Sequence, residues 1–102
     1  MTSNHFSDEN ACPAGGSTYG RGFAIAWQNG PLGLGQARKE PNGAFVEDII
    51  EAARDRLTYY QRSKFHSEYN RSAILHLTNA LMSLRARTND RFTRNVEGTH
   101  EV

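Results

Sequence analysis

Arg87, Arg91 and Arg94 stand at i, i+4 and i+7 near the carboxyl end of the sequence, on one face of any helix that carries them. A row of this kind can fork onto phosphate oxygens, because each guanidinium presents paired N–H donors in a rigid plane. With Arg85 they place four of the ten arginines within ten residues, in a chain whose formal net charge is only +1. Near neutrality there is no general field to draw in nucleic acid or an acidic membrane, so attraction for anions has to be local. Trp27, Tyr59, Tyr60, Phe65 and Phe92 supply ring faces on which a base could stack. The same residues admit a plainer use. The arginines could pair with Glu47, Asp48, Glu97 or Glu101 while the aromatics fill a core, and spacing alone leaves both readings open.

Other chemistries find less support. Glu47, Glu51 and Asp55 repeat at i, i+4 and i+8, as in carboxylate metal sites built on facing helices, but a second such set is lacking. Glu68 and Asp90 lie at opposite ends of the next helical segment, so the first set reads as solvated acids paired with Arg54, Arg56 or a neighbour's arginines. His66, His76 and His100 have no ligand-type partners at helical spacing, and Cys12 is the only cysteine. Neither a metal site nor a disulfide framework is expected. No serine or cysteine has an identifiable histidine base, so no catalytic residue, no cofactor and no enzymatic activity are expected. The glycines of "PLGLGQARKEPNG" lack the spacing and the Gly-Lys-Ser/Thr of a phosphate loop.

The elements that must position these groups follow from periodicity. Residues 1–20 are polar, rich in Ser, Asn and Gly and without an apolar period, and read as a flexible tail. A single domain is expected over 21–102. Its strand region, 21–41, holds "GFAIAWQ", where Phe23, Ile25 and Trp27 share one face. A helical pair is expected over 43–94, with a carboxyl-terminal tail over 95–102. Asn42 or Gly43 would cap a first helix of about 19 residues, and Ser67 a second of about 27, which at 1.5 Å per residue overhangs the first by about 12 Å. A connection of about five residues makes the pair an antiparallel hairpin. The fold class expected is α+β, mostly α: a short N-terminal strand or hairpin, then a long two-helix hairpin. Leu75 and Met82, like Phe45 and Tyr59, lie off the helical stripes, so the chain is expected to bury them against further copies of itself. The longest apolar run, "FAIAW", is far short of the roughly 20 residues that span a bilayer, and no secretory pattern opens the chain. A soluble cytosolic protein is expected.

Three stretches in order carry a family resemblance: "AWQNGPLG", "NGAFVEDIIEAARDRLTYYQ" and "EYNRSAILHLTNALMSLRARTNDRFTRNVEGTHE". Together they resemble the phage anti-Thoeris signal sponges, in the helical-hairpin group shared with anti-CBASS sponges. The resemblance runs from about Phe23 to His100. It implies a non-catalytic protein that binds nucleotide immune signals in the cytoplasm of the infected bacterial host. Cyclic ADP-ribose isomers made by TIR enzymes come first, then cyclic di- and trinucleotides. It also implies dimers or hexamers with pockets between subunits. Its motifs single out Tyr60, Asn70, Arg87 and Arg91 as ligand-binding residues, with Trp27, Arg38, Phe65 and Arg94 secondary. Asn70 and Arg87 are 17 residues apart on one helix, about 25 Å, too far for one small ligand within one chain. Either antiparallel subunits bring one chain's Asn70 to the other's Arg87, or there are two distinct sites; pockets between subunits are expected, with Tyr60 or Phe65 against adenine and the arginines on phosphates. The rival expectations are an enzyme that degrades the same signals and a helical module for nucleic acid or protein; the near-zero charge argues against nucleic acid.

Overall fold

In a computed structural model describing residues 1–102 the chain is α+β, three antiparallel strands followed by two helices. β1 (Thr2–Ser7), β2 (Pro13–Gly20) and β3 (Phe23–Ala26) form a sheet in the order β1-β2-β3, and α1 (Val46–Gln61) and α2 (Glu68–Thr93) follow. The chain divides into two compact units: Met1–Phe45 with Arg91–Val102, and Val46–Asp90. No helix is long and apolar enough to cross a membrane.

The flexible tail expected over residues 1–20 is instead two of the three strands. β1 pairs with β2 from Thr2 opposite Tyr19 to Ser7 opposite Pro13, with a register shift between His5 and Ser7. Every β1 side chain is exposed, so no apolar alternation marks the strand, and backbone pairing with β2 defines it. Gly16 lets the strands approach: its φ is +131°, and a Cβ there would run into the Asn4 carbonyl. Polar side chains stitch the sheet across its width. Ser3 and Thr18 share a hydroxyl hydrogen bond of 2.9 Å, and the Trp27 indole N–H donates to Thr18 Oγ1 at 2.9 Å. Thr18 is buried, so these bonds satisfy a hydroxyl that would otherwise cost free energy.

β3 keeps the expected facing in part: Ile25 and, just beyond the strand, Trp27 are half-buried and Ala24 and Ala26 exposed, but Phe23, expected on the Ile25 face, is 44% exposed. Beyond it, Trp27 forms a parallel bridge with Ala44, and Gly43 packs so closely that a Cβ would stand 2.6 Å from the Trp27 carbonyl carbon. Asn42, expected as a helix cap, turns back to this region. Its side chain accepts from the Asn29 N–H at 2.8 Å and donates to the Asn29 carbonyl at 2.9 Å. α1 accordingly starts at Val46 rather than at 43 or 44.

In the second unit α1 and α2 carry side chains to one another. Arg85 reaches Glu51 at 2.9 Å and Arg54 reaches Thr78 at 3.4 Å. Leu81 is the fully buried apolar side chain. Ser67 caps α2 as its position predicts, its Oγ accepting from the Asn70 N–H at 3.1 Å. Past the end of α2 at Thr93 the chain turns at Asn95, whose φ is +61°. There the Asn95 N–H returns to the Phe92 carbonyl and the Val96 N–H to the Arg91 carbonyl, which closes the last turn.

Candidate functional site

The turn between α1 and α2 gathers three of the residues singled out in the sequence: Tyr60, Phe65 and Asn70. Gln61 holds the turn by a reciprocal pair, Nε2 donating to the Ser67 carbonyl at 3.1 Å and Oε1 accepting from the Ser67 N–H at 2.9 Å. A side-chain amide thus takes the place of a backbone partner. Asn70 closes the ring by donating to the Phe65 carbonyl at 3.0 Å. Ser63 adds a further tie, donating to Tyr60 O at 2.6 Å while accepting from the Phe65 N–H at 3.0 Å. A turn so bonded fixes the aromatic residues that flank it.

The two aromatics differ in what they offer. Phe65 is 69% exposed, with the Lys64 ammonium 5.6 Å from its ring centroid. It is a stacking face with a cation beside it. Tyr60 is half-buried, and Arg56 lies over its ring at 5.1 Å and over Tyr59 at 4.9 Å. Tyr60, by hydrogen bonding first and then by charge, holds the Arg56 guanidinium more firmly protonated against a smaller opposing effect of burial. A base at Tyr60 therefore takes the ring face that Arg56 leaves open, or displaces Arg56. Along α2 a groove of about 460 Å³ follows, lined by Glu68, Arg71, Ser72, Ile74, Leu75 and Thr78. Along α1 another, of about 660 Å³, is lined by Asp48, Glu51, Asp55 and Arg54 among others. Three carboxylates make that second groove a poor place for a phosphate.

The arginines separate into two uses. Arg87 is exposed, and no bond or ring contact engages it. Arg91 is half-buried and spends its guanidinium on the chain's own backbone. It donates to the carbonyls of Val96 at 3.0 Å, Thr99 at 3.1 Å, Glu101 at 2.8 Å and Val102 at 3.4 Å. Arg94 donates to the Val102 carbonyl at 3.1 Å. Arg38 grips Glu97 with both terminal nitrogens, at 2.7 and 2.9 Å. That pairing, against a smaller effect of burial and with help from the charge of Arg91, holds the Glu97 carboxyl below its ordinary value of 4.5. Trp27 is committed to Thr18. Thus Tyr60, Phe65 and Asn70 come together in one unit, and Arg38, Arg91 and Arg94 converge on the carboxyl-terminal segment in the other.

Gln61, Ser67, Arg56 and Glu97 are the participants that spacing did not single out as site residues. Glu97 had been named as a possible arginine partner, and Gln61 stood in the shared motif, so both left a trace in the sequence. Gly98 left none. With φ at +82° it packs against Gly33, whose N–H it accepts at 2.8 Å, and a Cβ would collide with the Gly33 carbonyl.

No protein-family model matches the chain. It is 40% identical over 82 residues to Thoeris anti-defense 1 of Bacillus phage SBSphiJ7, an alignment covering 80% of the chain and 55% of that relative. The chain therefore spans about half the length of the curated relative it matches. By that identity over four-fifths of its own length, the chain belongs to the anti-Thoeris family of phage proteins.

Proposed function

We propose that the chain is a non-catalytic sponge: it binds a host nucleotide immune signal and keeps it from its effector. The reading rests on the 40% identity to a phage protein named for defeating Thoeris. The geometry agrees with it, since a bonded turn presents Tyr60, Phe65 and Asn70 while Arg87 stays uncommitted. The preferred ligand is a cyclic ADP-ribose isomer, whose adenine stacks on Phe65 or on the open face of Tyr60 and whose phosphates take arginine. Cyclic di- and trinucleotides are the second ligand class. The place of action is the cytoplasm of the infected host.

The pocket forms between copies of the chain. α1 and α2 run as an antiparallel hairpin, a reading supported by the rungs Glu51–Arg85, Arg54–Thr78 and Gln61–Ser67, whose numbers rise on one side as they fall on the other. A second copy supplies the arginine that Asn70 lacks in its own chain, about 25 Å along α2. A dimer, or a hexamer built from dimers, meets this need.

Calorimetric titration of the purified chain with cyclic ADP-ribose isomers and with cyclic di- and trinucleotides tests the proposal. Heat release of the bound ligand then distinguishes a sponge from an enzyme. Saturable binding with intact ligand recovered is expected. Fragments in the released fraction make the protein a hydrolase, and absence of binding to every signal overturns the reading.

A further inference from the structure

Away from these groups, the turn between β1 and β2 meets the carboxyl-terminal segment at three side chains of metal-ligating type. Asp8, Cys12 and His100 hold their ligand atoms within 4.8 Å of one another. Asp8 Oδ2 and His100 Nδ1 are 4.0 Å apart. The residues come from opposite ends of the sequence, so no spacing motif announces them, and the expectation of no metal, drawn from helical spacing, facing carboxylates and the lone cysteine, has no bearing on such a pairing.

Both halves of the cluster are held in place by hydrogen bonds that leave Asp8 Oδ2 and the His100 ring facing each other. On one side the Asp8 N–H donates to the Cys12 carbonyl at 2.9 Å and the Ala11 N–H to the Asp8 carbonyl at 3.1 Å, with Ala11 at a φ of +61°. Asp8 Oδ1 accepts from the N–H groups of Asn10 at 2.8 Å and Cys12 at 3.0 Å. Its other oxygen is the one that faces His100. On the other side His100 sits between Thr99 and Glu101, whose carbonyls Arg91 grips, and two residues after Gly98, which is bonded to Gly33. The backbone thus delivers a carboxylate, a thiol and an imidazole to one point.

We propose that Asp8, Cys12 and His100 form a zinc(II) site. Sulfur, nitrogen and oxygen donors in one set suit zinc and exclude magnesium and calcium, which take oxygen ligands. Tetrahedral zinc with bonds of about 2.0–2.3 Å holds its donors about 3.3–3.8 Å apart. The triad therefore has to contract by about 1 Å at its widest, which side-chain rotation supplies. The Cys12 thiol gives its proton to solvent as the sulfur binds, the neutral imidazole binds through a ring nitrogen, and water completes the fourth position. The N–H groups of Cys12 and then Asn10, opposed by slight burial and aided by His100, already hold the Asp8 carboxyl below its ordinary value. They are the outer hydrogen bonds that orient a ligating carboxylate. A metal here ties the carboxyl-terminal segment to the β1–β2 turn, so its binding energy becomes stability of the first unit.

The test uses the full chain, stripped with a chelator and titrated separately with zinc sulfate and cobalt(II) chloride. One equivalent of zinc is expected to bind and to raise the melting temperature. Cobalt is expected to give tetrahedral d–d bands and a thiolate-to-cobalt charge-transfer band. Cys12→Ser is expected to abolish the charge-transfer band, and His100→Gln to weaken zinc binding at least tenfold, while His76→Gln leaves both unchanged. No saturable zinc binding to the wild type overturns the site. So does a cobalt spectrum without the thiolate band, which needs no variant to fold, or wild-type affinity in both ligand variants.

Discussion

At the scale of single residues, Arg87 and Arg91 look interchangeable in a helical projection and are not so in the fold. Arg87 projects from α2 with its guanidinium free, whereas Arg91 is the donor on which the Val96, Thr99, Glu101 and Val102 carbonyls converge. Removing each side chain should therefore fail in a different way. A charged hydrogen bond contributes about 1.5–3 kcal/mol, an order of magnitude or more in affinity. Arg87→Ala is expected to lose at least that factor for the nucleotide signal while its melting temperature stays at the wild-type value. Arg91→Ala is expected to lower the melting temperature by leaving partly buried carbonyls without their donor. Any loss of ligand binding in it then follows from the disturbed segment. Calorimetry on the two variants, for unfolding and for binding, separates the roles. If Arg87→Ala unfolds early and Arg91→Ala does not, the assignment is reversed.

At the scale of elements, the carboxyl-terminal segment is the piece whose behaviour depends most on charge. Glu97 is ionised in its grip with Arg38, and its folded-state pKa lies below the unfolded value. The stabilisation it brings is therefore fully present above the unfolded carboxyl value and is lost as pH falls through the folded one. Thermal melts of wild type and Glu97→Gln should differ at pH 6–7 and converge below about pH 4. A gap independent of pH would mean that Glu97 acts through packing alone. This segment also marks the limit of what could be read in the sequence. α1 and α2 were legible because Ile49, Ile50, Leu57, Ile74, Leu77, Leu81 and Leu84 repeat at helical spacing and Ser67 announces a cap. β1 and β2 were not, because Phe6, Ala14 and Tyr19, scattered among polar residues and glycines, make no apolar alternation, and the pairing rests on backbone bonds and the freedom of Gly16. The turn between α1 and α2 was legible from the Ser67 cap, but the part proposed for Tyr60 and Asn70 in ligand binding came only through the motif. The contacts of Arg38 with Glu97, and of Asp8 with His100, join residues too distant in sequence for any periodic signal to register.

At the scale of the whole molecule, the balance of buried and exposed apolar side chains bears on assembly. Leu81 alone among the large apolar residues is fully buried, while Leu75 is 58% and Met82 61% exposed. These two stand seven residues apart on α2, two turns along one face. Packing α2 antiparallel against a second copy, centred between residues 78 and 79, brings Leu75 level with the partner's Met82. The same register sets Asn70 and the partner's Arg87 at one height, but at 3.6 residues per turn both lie about 130° around α2 from the Leu75–Met82 seam, on its flanks and not in it. A stable dimer buries roughly 800 Å² per partner, about a tenth of the 7911 Å² the chain exposes. Leu75→Glu and Met82→Glu place charges in that seam yet replace side chains already exposed in the single chain, so their direct cost to the fold is within about 0.5 kcal/mol. In the proposed dimer each is expected to shift the assembly toward monomer in light scattering at unchanged helical content, and to weaken binding of the proposed nucleotide signal in step with dissociation. A variant that is monomeric and still binds with wild-type affinity refutes the shared pocket. One that keeps the wild-type mass places any assembly surface elsewhere, and the flank of α1 carrying the exposed Tyr59 becomes the face to charge next.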